Sequence, residues 1–568
     1  MKMKKRLLFL SALCLLTGCA GGVADPSTEA GPPTAAPTAP ATLPKTAADV
    51  EPGENEFLFR LDLSERGEKI NNKVSDVNVW MFQSSCLDGW DENHFREEFP
   101  FVERIQFMQA TGGNAERDLF LDPYDASVRD DYKFDELIAA CKNVLAQGVK
   151  PMIKTGNVPM KFSTVNTPGV FGVNMYPPDD YNEYYGYICD VAASLVAEFG
   201  REEVASWRWG VLTEYENKDW FSYDESEEAT FEAYCRLYDT TAAALQSVLG
   251  EEINIGAHSM TVAEGLWDEE RFIEHCASGT NFWTGETGSP LTYLAVSFYD
   301  TTIPNSPRAA KSLPDTIQKV RAAAEAAGMT ELIYGVDEGR ILVGVKGSQA
   351  ADLTSRVVGD TAQGAYDARL ILQMVDNDID YFSAWGYTTA GLRDGIPTVS
   401  LHVAREFYKM VGSARVGVEK AFKTPGATEY EALASVGDDG TLRMMAYTFG
   451  RGGEDTVPLR FAADLGAARA QVRLVRIDDD ANFFDEWRAD CEAAEIGAEH
   501  FSWSPDSSEP PIITDEARAL WEENSGKYAA AAELKEEVYV VETEGGLLDL
   551  TVEIPRSSVV FLTVKPLY

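Results

Sequence analysis

The chain from residue 75 to residue 411 alternates short apolar runs with longer amphipathic ones, the pattern of repeated strand–helix units. In the longer runs apolar residues recur at spacings of three and four, as from Phe134 to Leu145, and Gly148 stands where such a helix would end. The short runs that read as strands are VNVWMFQ from Val77, RIQFMQA from Arg104, VKPMIKTG from Val149, SWRWGVLTE from Ser206, INIGAHS from Ile253, TYLAVSFY from Thr292, LIYGVDE from Leu332 and YFSAWGY from Tyr381. These eight strands and the helices between them predict an α/β fold, a (β/α)8 TIM barrel over residues 76–412.

Beyond residue 412 the pattern changes to alternating, β-branched runs separated by Gly and Asp, such as AQVRLVRI and SSVVFLTVKPL. Such alternation is typical of strands that bury one face. We therefore expect a C-terminal β-sandwich accessory domain over residues 413–568. The run EFLFRLDLS, within residues 51–75, precedes the barrel and alternates too, so we expect it to pair into the β domain.

Residues 1–19 have the order of an export signal. Basic residues between Lys2 and Arg6 precede an apolar run from Leu7 to Leu16 that is too short to span a bilayer. The run ends in LTGC, which resembles the lipobox of bacterial lipoproteins and implies a lipid on Cys19; an ordinary secretory signal is the alternative. Residues 20–50, rich in Ala, Pro and Thr, predict a linker. We thus expect a protein that is anchored to a membrane at Cys19, on the extracytoplasmic face or the surface of a bacterial cell.

The net charge of the chain indicates which kinds of partner it can bind. The chain has 92 acidic and 49 basic side chains, a net charge of −43. Repulsion between like charges opposes binding to polyanions, which argues against nucleic acid and favours a neutral partner. The histidines and the cysteines outside the signal lack the spacing of metal ligands, so we expect no metal and no cofactor. The oligomeric state stays open.

Carboxylates close two of the predicted barrel strands. Glu214 ends the fourth strand, and Asp337 and Glu338 end the seventh. Active sites of such barrels lie at the C-terminal ends of the strands. Two carboxylates that face each other across a cleft are what glycosidic bond cleavage requires, one as acid and one as nucleophile or base. Because successive strand residues face opposite ways, we expect only one of Asp337 and Glu338 to point inward, and the residues alone do not say which.

The text around these carboxylates resembles glycoside hydrolase family 39, a family of retaining glycosidases that includes β-xylosidases and α-L-iduronidases. The resemblance rests on WRWGVLTEYENKDWF at strand four, LIYGVDEG at strand seven and FDELIAACKNVLAQGVKPMIKTGNVP before them. VRIDDDANFFDEW and PPIITDEARALWE, which look like the family's β-domain motif, extend it over nearly the whole chain. The resemblance implies that Glu214 is the acid/base and Glu338 the nucleophile, with Asp337 the runner-up. It also implies double displacement on an extracellular oligo- or polysaccharide.

Five further residues are candidates for contact with the sugar: Thr213, Asn217, Tyr299, Trp385 and Arg104. Thr213 stands where the family has an Asn that contacts the sugar 2-hydroxyl. Trp385, at the end of strand eight, is either a stacking platform or core filling. Arg104 either supports the catalytic carboxylates by its charge or forms a plain ion pair.

An alternative function follows from two departures from the family pattern, Thr213 and Phe298. It is a non-catalytic, carbohydrate-binding lipoprotein on a decayed glycosidase barrel.

Overall fold

The computed structural model of the chain describes residues 45–79, 92–108, 110–113, 118–165, 168–169, 172–224, 226–262, 269–300, 312–341, 361–385, 395–423, 429–449, 456–496 and 515–568. The predicted signal, Cys19 and most of the predicted linker lie outside these residues. The end of that linker differs from the prediction, because Ala47 and Val50 are buried against Leu58 and Ala462 of the β domain. Of the described residues, none lies in a helix that is long and apolar enough to cross a bilayer.

A closed barrel of eight parallel strands confirms the predicted fold. Strand β1 (Phe57–Asp62) comes first in the chain and lies outside the barrel. The barrel strands are β2 (Asp76–Val79), β3 (Arg104–Phe107), β4 (Lys150–Thr155), β5 (Arg208–Val211), β6 (Asn254–Met260), β7 (Tyr293–Asp300), β8 (Ile333–Ile341) and β9 (Tyr381–Trp385). The helices of this part are α1 (Glu92–Glu98), α2 (Asp135–Ala146), α3 (Tyr181–Phe199), α4 (Arg201–Ala205), α5 (Glu227–Leu249), α6 (Glu269–Ser278), α7 (Leu313–Ala326), α8 (Thr361–Asp376) and α9 (Val399–Tyr408).

Local sequence sets the ends of these helices. The side chain of Ser226 accepts a hydrogen bond from the backbone of Ala229 at the start of α5. Gly250, with φ of 111°, ends the same helix in a conformation that suits glycine. Asp180 and Gly200 bound α3 in the same way.

The β domain consists of two sheets. Its strands after the barrel are β10 (Ala414–Arg415), β11 (Gly417–Ala421), β12 (Glu429–Val436), β13 (Leu442–Phe449), β14 (Thr456–Asp464), β15 (Arg469–Ile477), β16 (Glu536–Glu542), β17 (Leu547–Pro555) and β18 (Val559–Leu567). One sheet has the order β11-β1-β14-β17 and the other β10-β12-β13-β18-β15-β16. Their alternating apolar side chains share one core, with Phe59 and Phe461 from the first sheet and Met444 and Val472 from the second. Strand β1 lies antiparallel to β11 and parallel to β14.

Two helices interrupt the β domain, α10 (Phe484–Ala493) and α11 (Asp515–Ala531), which the sequence pattern did not predict. Both have two acidic residues in the first turn, which helix N-termini favour. Trp487, Trp521 and Tyr528 join them in one aromatic cluster. The same cluster includes Trp220 from the loop after β5. A segment of the β domain therefore packs against a loop at the C-terminal end of the barrel.

An ion pair also connects the barrel and the sandwich. Glu406 of α9 is buried and accepts two hydrogen bonds from Arg473 of β15, at 2.7 and 2.9 Å. Tyr366 of α8 packs on Phe449 of β13 nearby. The barrel and the sandwich therefore share a packed interface.

Candidate active site

A strained turn delivers Glu214 from the end of β5. Leu212 has φ of 57° and Glu214 has φ of 42°, a region that non-glycine residues rarely adopt. Two backbone hydrogen bonds hold the turn, from Glu214 N to Ser259 O at 3.2 Å and from Asn217 N to Glu214 O at 2.8 Å. The turn places the Glu214 side chain in the buried end of the barrel.

The environment of Glu214 favours its protonated form. Burial, followed by the negative charge of Glu338, raises the pKa of Glu214 to about 8. Hydrogen bonds act in the opposite direction, including a 3.0 Å bond from Asn217 Nδ2 to Glu214 Oε2. The charge of Glu216 raises the pKa further. Glu214 therefore keeps its proton at neutral pH, as a general acid must.

A β-bulge in β8 changes the prediction for Asp337 and Glu338. In the register with β7, Val296 pairs with Val336 and the next residue, Ser297, pairs with Glu338, so Asp337 is an extra residue. The extra residue interrupts the alternation of faces. Both carboxylates are buried, at 0% and 1% exposure; Asp337 accepts a hydrogen bond from Tyr381 inside the barrel, and the charge of Glu338 acts on Glu214. The expectation that only one would point inward is wrong for this reason.

The two adjacent carboxylates have different partners. Tyr299 Oη donates a hydrogen bond of 2.7 Å to Glu338 Oε2 from the neighbouring strand β7. Asp337 Oδ1 instead accepts from Tyr381 Oη at 2.8 Å and from Gln106 Nε2 at 3.0 Å. Burial raises the pKa of Asp337 to about 7. Asp337 thus belongs to a network of the barrel interior, whereas Glu338 is the carboxylate whose charge acts on Glu214.

Lys154, near the end of β4, joins these carboxylates, and sequence reasoning missed it. It is 1% exposed, its ammonium donates a hydrogen bond to Thr213 Oγ1, and it lies 5.6 Å from the centre of the Trp220 ring. Burial lowers its pKa to about 7, against the charges of Glu338, Asp337 and Glu214. A signal was present in the alternation of β4, because Lys154 shares its face with Met152, which packs inside the barrel.

Of the five residues predicted to contact the sugar, three lie beside Glu214, Glu338 or Lys154. Thr213 is bonded to Lys154, Asn217 to Glu214 and Tyr299 to Glu338. Arg104 opens its strand at the opposite end and pairs with the buried Asp76 at 3.3 Å, so the structure does not bring it to Glu214 or Glu338. The side chain of Trp385 lies outside the described residues.

The interior beneath the carboxylates contains a second polar layer that the sequence did not reveal. Gln106 Nε2 donates to both Asp76, at 2.9 Å, and Asp337. Arg208 is buried with its guanidinium 3.3 Å from Asp76 and over the ring of Tyr381, 4.3 Å from its centre. Arg104 and Arg208 thus both pair with the carboxylate of Asp76. The side-chain amide of Gln106 links Asp76 to Asp337.

In the part of the chain that the structure describes, no three His, Cys, Asp or Glu side chains form a group that could hold a metal ion.

A family model described as glycosyl hydrolases family 39 matches residues 118–439, more than half of the chain. The chain belongs to glycosyl hydrolases family 39. The matched range includes Lys154, Glu214 and Glu338.

Relatives and solved structures agree with this membership. The chain is 25% identical to a β-xylosidase of Geobacillus stearothermophilus over 154 residues, 27% of this chain and 29% of that protein. It thus spans less than a third of the length of the curated relatives it matches. A family 39 enzyme from Xanthomonas axonopodis pv. citri has a TM-score of 0.64 at 16% identity, over 92% of this chain and 99% of that one. A monomeric β-xylosidase from Caulobacter crescentus has a TM-score of 0.64 at 17% identity, over 90% and 100%. These two likenesses show the shared fold.

Proposed function

We propose that the protein is a retaining glycoside hydrolase, in which Glu214 is the acid/base and Glu338 the nucleophile. The observation that carries the proposal is a pair of buried carboxylates on β8 and just after β5, coupled so that the charge of Glu338 favours the protonated form of Glu214. One protonated and one ionised carboxyl group is the arrangement that glycosidic cleavage requires. Family membership supports the choice of double displacement.

The first step forms a glycosyl-enzyme. Glu214 donates its proton to the leaving oxygen while Glu338 attacks the anomeric carbon, so that the glycosidic C–O bond breaks as the new ester bond forms. Tyr299 holds the attacking carboxylate and Asn217 holds the acid through the hydrogen bonds described above. Both side chains therefore enter the reaction in fixed orientations.

The second step reverses the role of Glu214. Once Glu338 is esterified its negative charge is gone, and with it one of the two largest causes of the raised pKa of Glu214. Glu214 can then ionise and accept a proton from water, which attacks the anomeric carbon and releases Glu338. The same coupling thus serves acid catalysis first and base catalysis second.

We propose β-xylosides as the first class of substrate. Curated relatives and a structural neighbour are named β-xylosidases, so β-xylosides are the first substrates to test. We further propose that the substrate is an extracellular oligo- or polysaccharide and that a lipid on Cys19 holds the protein at a membrane. Replacement of Cys19 by Ser should release the protein from the membrane fraction of expressing cells; unchanged membrane association would refute the anchor.

The test of the proposed activity is hydrolysis of aryl glycosides: β-xyloside, α-arabinoside, β-glucoside and α-iduronide. Wild type should cleave at least one, and Glu214→Gln and Glu338→Gln should each lose about a thousandfold or more in kcat on it. Glu198→Gln is the matched control, because Glu198 pairs with Lys142 on the surface. Full turnover by either site variant would remove that residue from the proposal.

Carbohydrate binding without hydrolysis is the second candidate, favoured by the position of Lys154. The attraction between the Lys154 ammonium and the carboxylate of Glu338 would stabilise that carboxylate and so lower its reactivity as a nucleophile. If wild type cleaves nothing, including polysaccharides, while both Glu→Gln variants still bind sugar, this candidate replaces the first.

A further inference from the structure

Lys154 has hydrogen-bonding capacity that the described protein does not use. An ammonium carries three donors. Within the described ranges, Thr213 Oγ1 is the one acceptor that Lys154 bonds, although the side chain is 1% exposed. Leaving donors of a buried charge without acceptors is costly, so a further acceptor is expected next to this ammonium when the site is in use.

The nearby carboxylates accept from other donors and not from Lys154 in the described structure. Glu214 accepts from Asn217, Glu338 from Tyr299 and Asp337 from Tyr381. They attract Lys154 by charge, while Thr213 holds the ammonium from the turn that carries Glu214. The ammonium is thus placed beside the two residues between which, on the proposed function, the anomeric carbon would bind.

The charge of the site favours a neutral ligand over an anionic one. Even with Glu214 protonated, the negative charges of Glu338 and Glu216 would repel an anionic sugar. A neutral hydroxyl oxygen accepts from an ammonium without that cost. The hydroxyl nearest the anomeric carbon is the one on C2, and hydrogen bonds to it strengthen in the transition state of glycoside cleavage.

We propose that Lys154, held by Thr213, donates a hydrogen bond to the C2 hydroxyl of a neutral sugar bound between Glu214 and Glu338, and that it selects substrates that carry this hydroxyl. The inference rests on the proposed function and makes Lys154 a residue of substrate specificity. It also gives Thr213 a role, as the acceptor that orients the ammonium.

The test compares an aryl β-xyloside with its 2-deoxy and 3-deoxy analogues, each rate being divided by the spontaneous rate for that compound. Wild type should prefer the 2-hydroxy over the 2-deoxy substrate by about a hundredfold in kcat/KM. Lys154→Met should lose this preference, so that the two substrates react at about the same relative rate, and Lys154→Arg should restore part of it. The preference over the 3-deoxy substrate should not change.

Lys150→Met is the matched control, since Lys150 lies on the same strand and pairs with Glu203. It should keep the wild-type preference. A Lys154→Met variant that slows the 2-hydroxy and 2-deoxy substrates by the same factor would overturn the inference, because a structural role alone would do so. A preference of wild type for a glucuronide over the glucoside, lost in Lys154→Met, would overturn the neutral sugar.

A protein without glycosidase activity can be distinguished from one in which only the role of Lys154 is wrong. If wild type hydrolyses no glycoside, binding of D-xylose and 2-deoxy-D-xylose by ligand-observed NMR becomes the readout. Preference of wild type for D-xylose, lost in Lys154→Met, would support the contact without catalysis. Absence of any preference in wild type would refute it.

Discussion

Glu214 and Glu338 interact through their charges: after burial, the negative charge of Glu338 is the largest cause that raises the pKa of Glu214 to about 8. They come from the fourth and seventh strands of one closed barrel. The proposed reaction needs a protonated Glu214, and the charge of Glu338 favours that form.

The basic limb of the pH profile should report Glu214. Activity requires its proton, so kcat/KM should fall above about pH 8. The hydrogen bond from Asn217 lowers this pKa, so Asn217→Ala should move the limb up by about 0.5 to 1 unit. The charge of Glu216 raises it, so Glu216→Gln should move the limb down. Shifts of both variants in the same direction would contradict the assignment of the limb to Glu214.

Removal of the Tyr299 hydroxyl should slow attack by Glu338. Tyr299→Phe loses the 2.7 Å hydrogen bond that orients the carboxylate, and we expect kcat to fall about ten- to hundredfold while KM changes little. Tyr334→Phe, at the other end of β8, should keep wild-type kinetics. Steady-state kinetics of both variants measure the difference, and a Tyr299→Phe enzyme as fast as wild type would exclude this role.

Asp337 should matter for stability more than for chemistry. Asp337→Ala removes the buried acceptor of Tyr381 and one of the two buried acceptors of Gln106, and it should lower the free energy of unfolding by about 3 kcal/mol. Asp337→Asn keeps an acceptor and resembles the neutral form that burial favours, so it should stay folded and lose no more than about tenfold in kcat. Denaturant unfolding and kinetics test this together. If Asp337→Asn is as inactive as Glu338→Gln, Asp337 is the better candidate for the nucleophile.

The buried ion pair between barrel and sandwich should contribute to stability. Arg473→Met leaves the buried Glu406 with Lys409 alone and should cost about 2 to 3 kcal/mol. Arg476→Met, on the same strand, removes an exposed pair with Glu537 and should cost no more than about 1 kcal/mol. Equal losses in the two variants, measured by denaturant unfolding, would argue against a special role for the interface.

Sequence periodicity was sufficient for the barrel because each buried parallel strand is a short apolar run followed by a helical one. The carboxylates Glu214 and Glu338 could be located for a related reason, since the ends of the strands are where polar residues replace apolar ones. The bulge at Asp337 could not be predicted, because it depends on the register with β7, and the flanking Gly335 and Gly339 do not say which residue is the extra one.

Other features depended on contacts between distant segments. Lys154 looks like an ordinary polar residue at the end of a strand until Thr213 and the carboxylates surround it. The helices α10 and α11 lie between β15 and β16. The alternating pattern of the strands on either side predicted only β structure there. Ala47 and Val50 belong to an Ala-rich stretch, and only the sheet against which they pack shows that they are buried.

Glu338 is proposed as the nucleophile that forms a covalent glycosyl-enzyme, and chemical labelling of this residue tests the proposed mechanism most directly. The direct measurement is mass spectrometry of the protein after incubation with the 2-deoxy-2-fluoro glycosyl fluoride of the sugar that wild type cleaves best, followed by peptide mapping. We predict one added sugar, attached to Glu338, and faster accumulation in wild type than in Tyr299→Phe. A label on Asp337, or turnover of the parent glycoside with inversion and no adduct, would contradict the account.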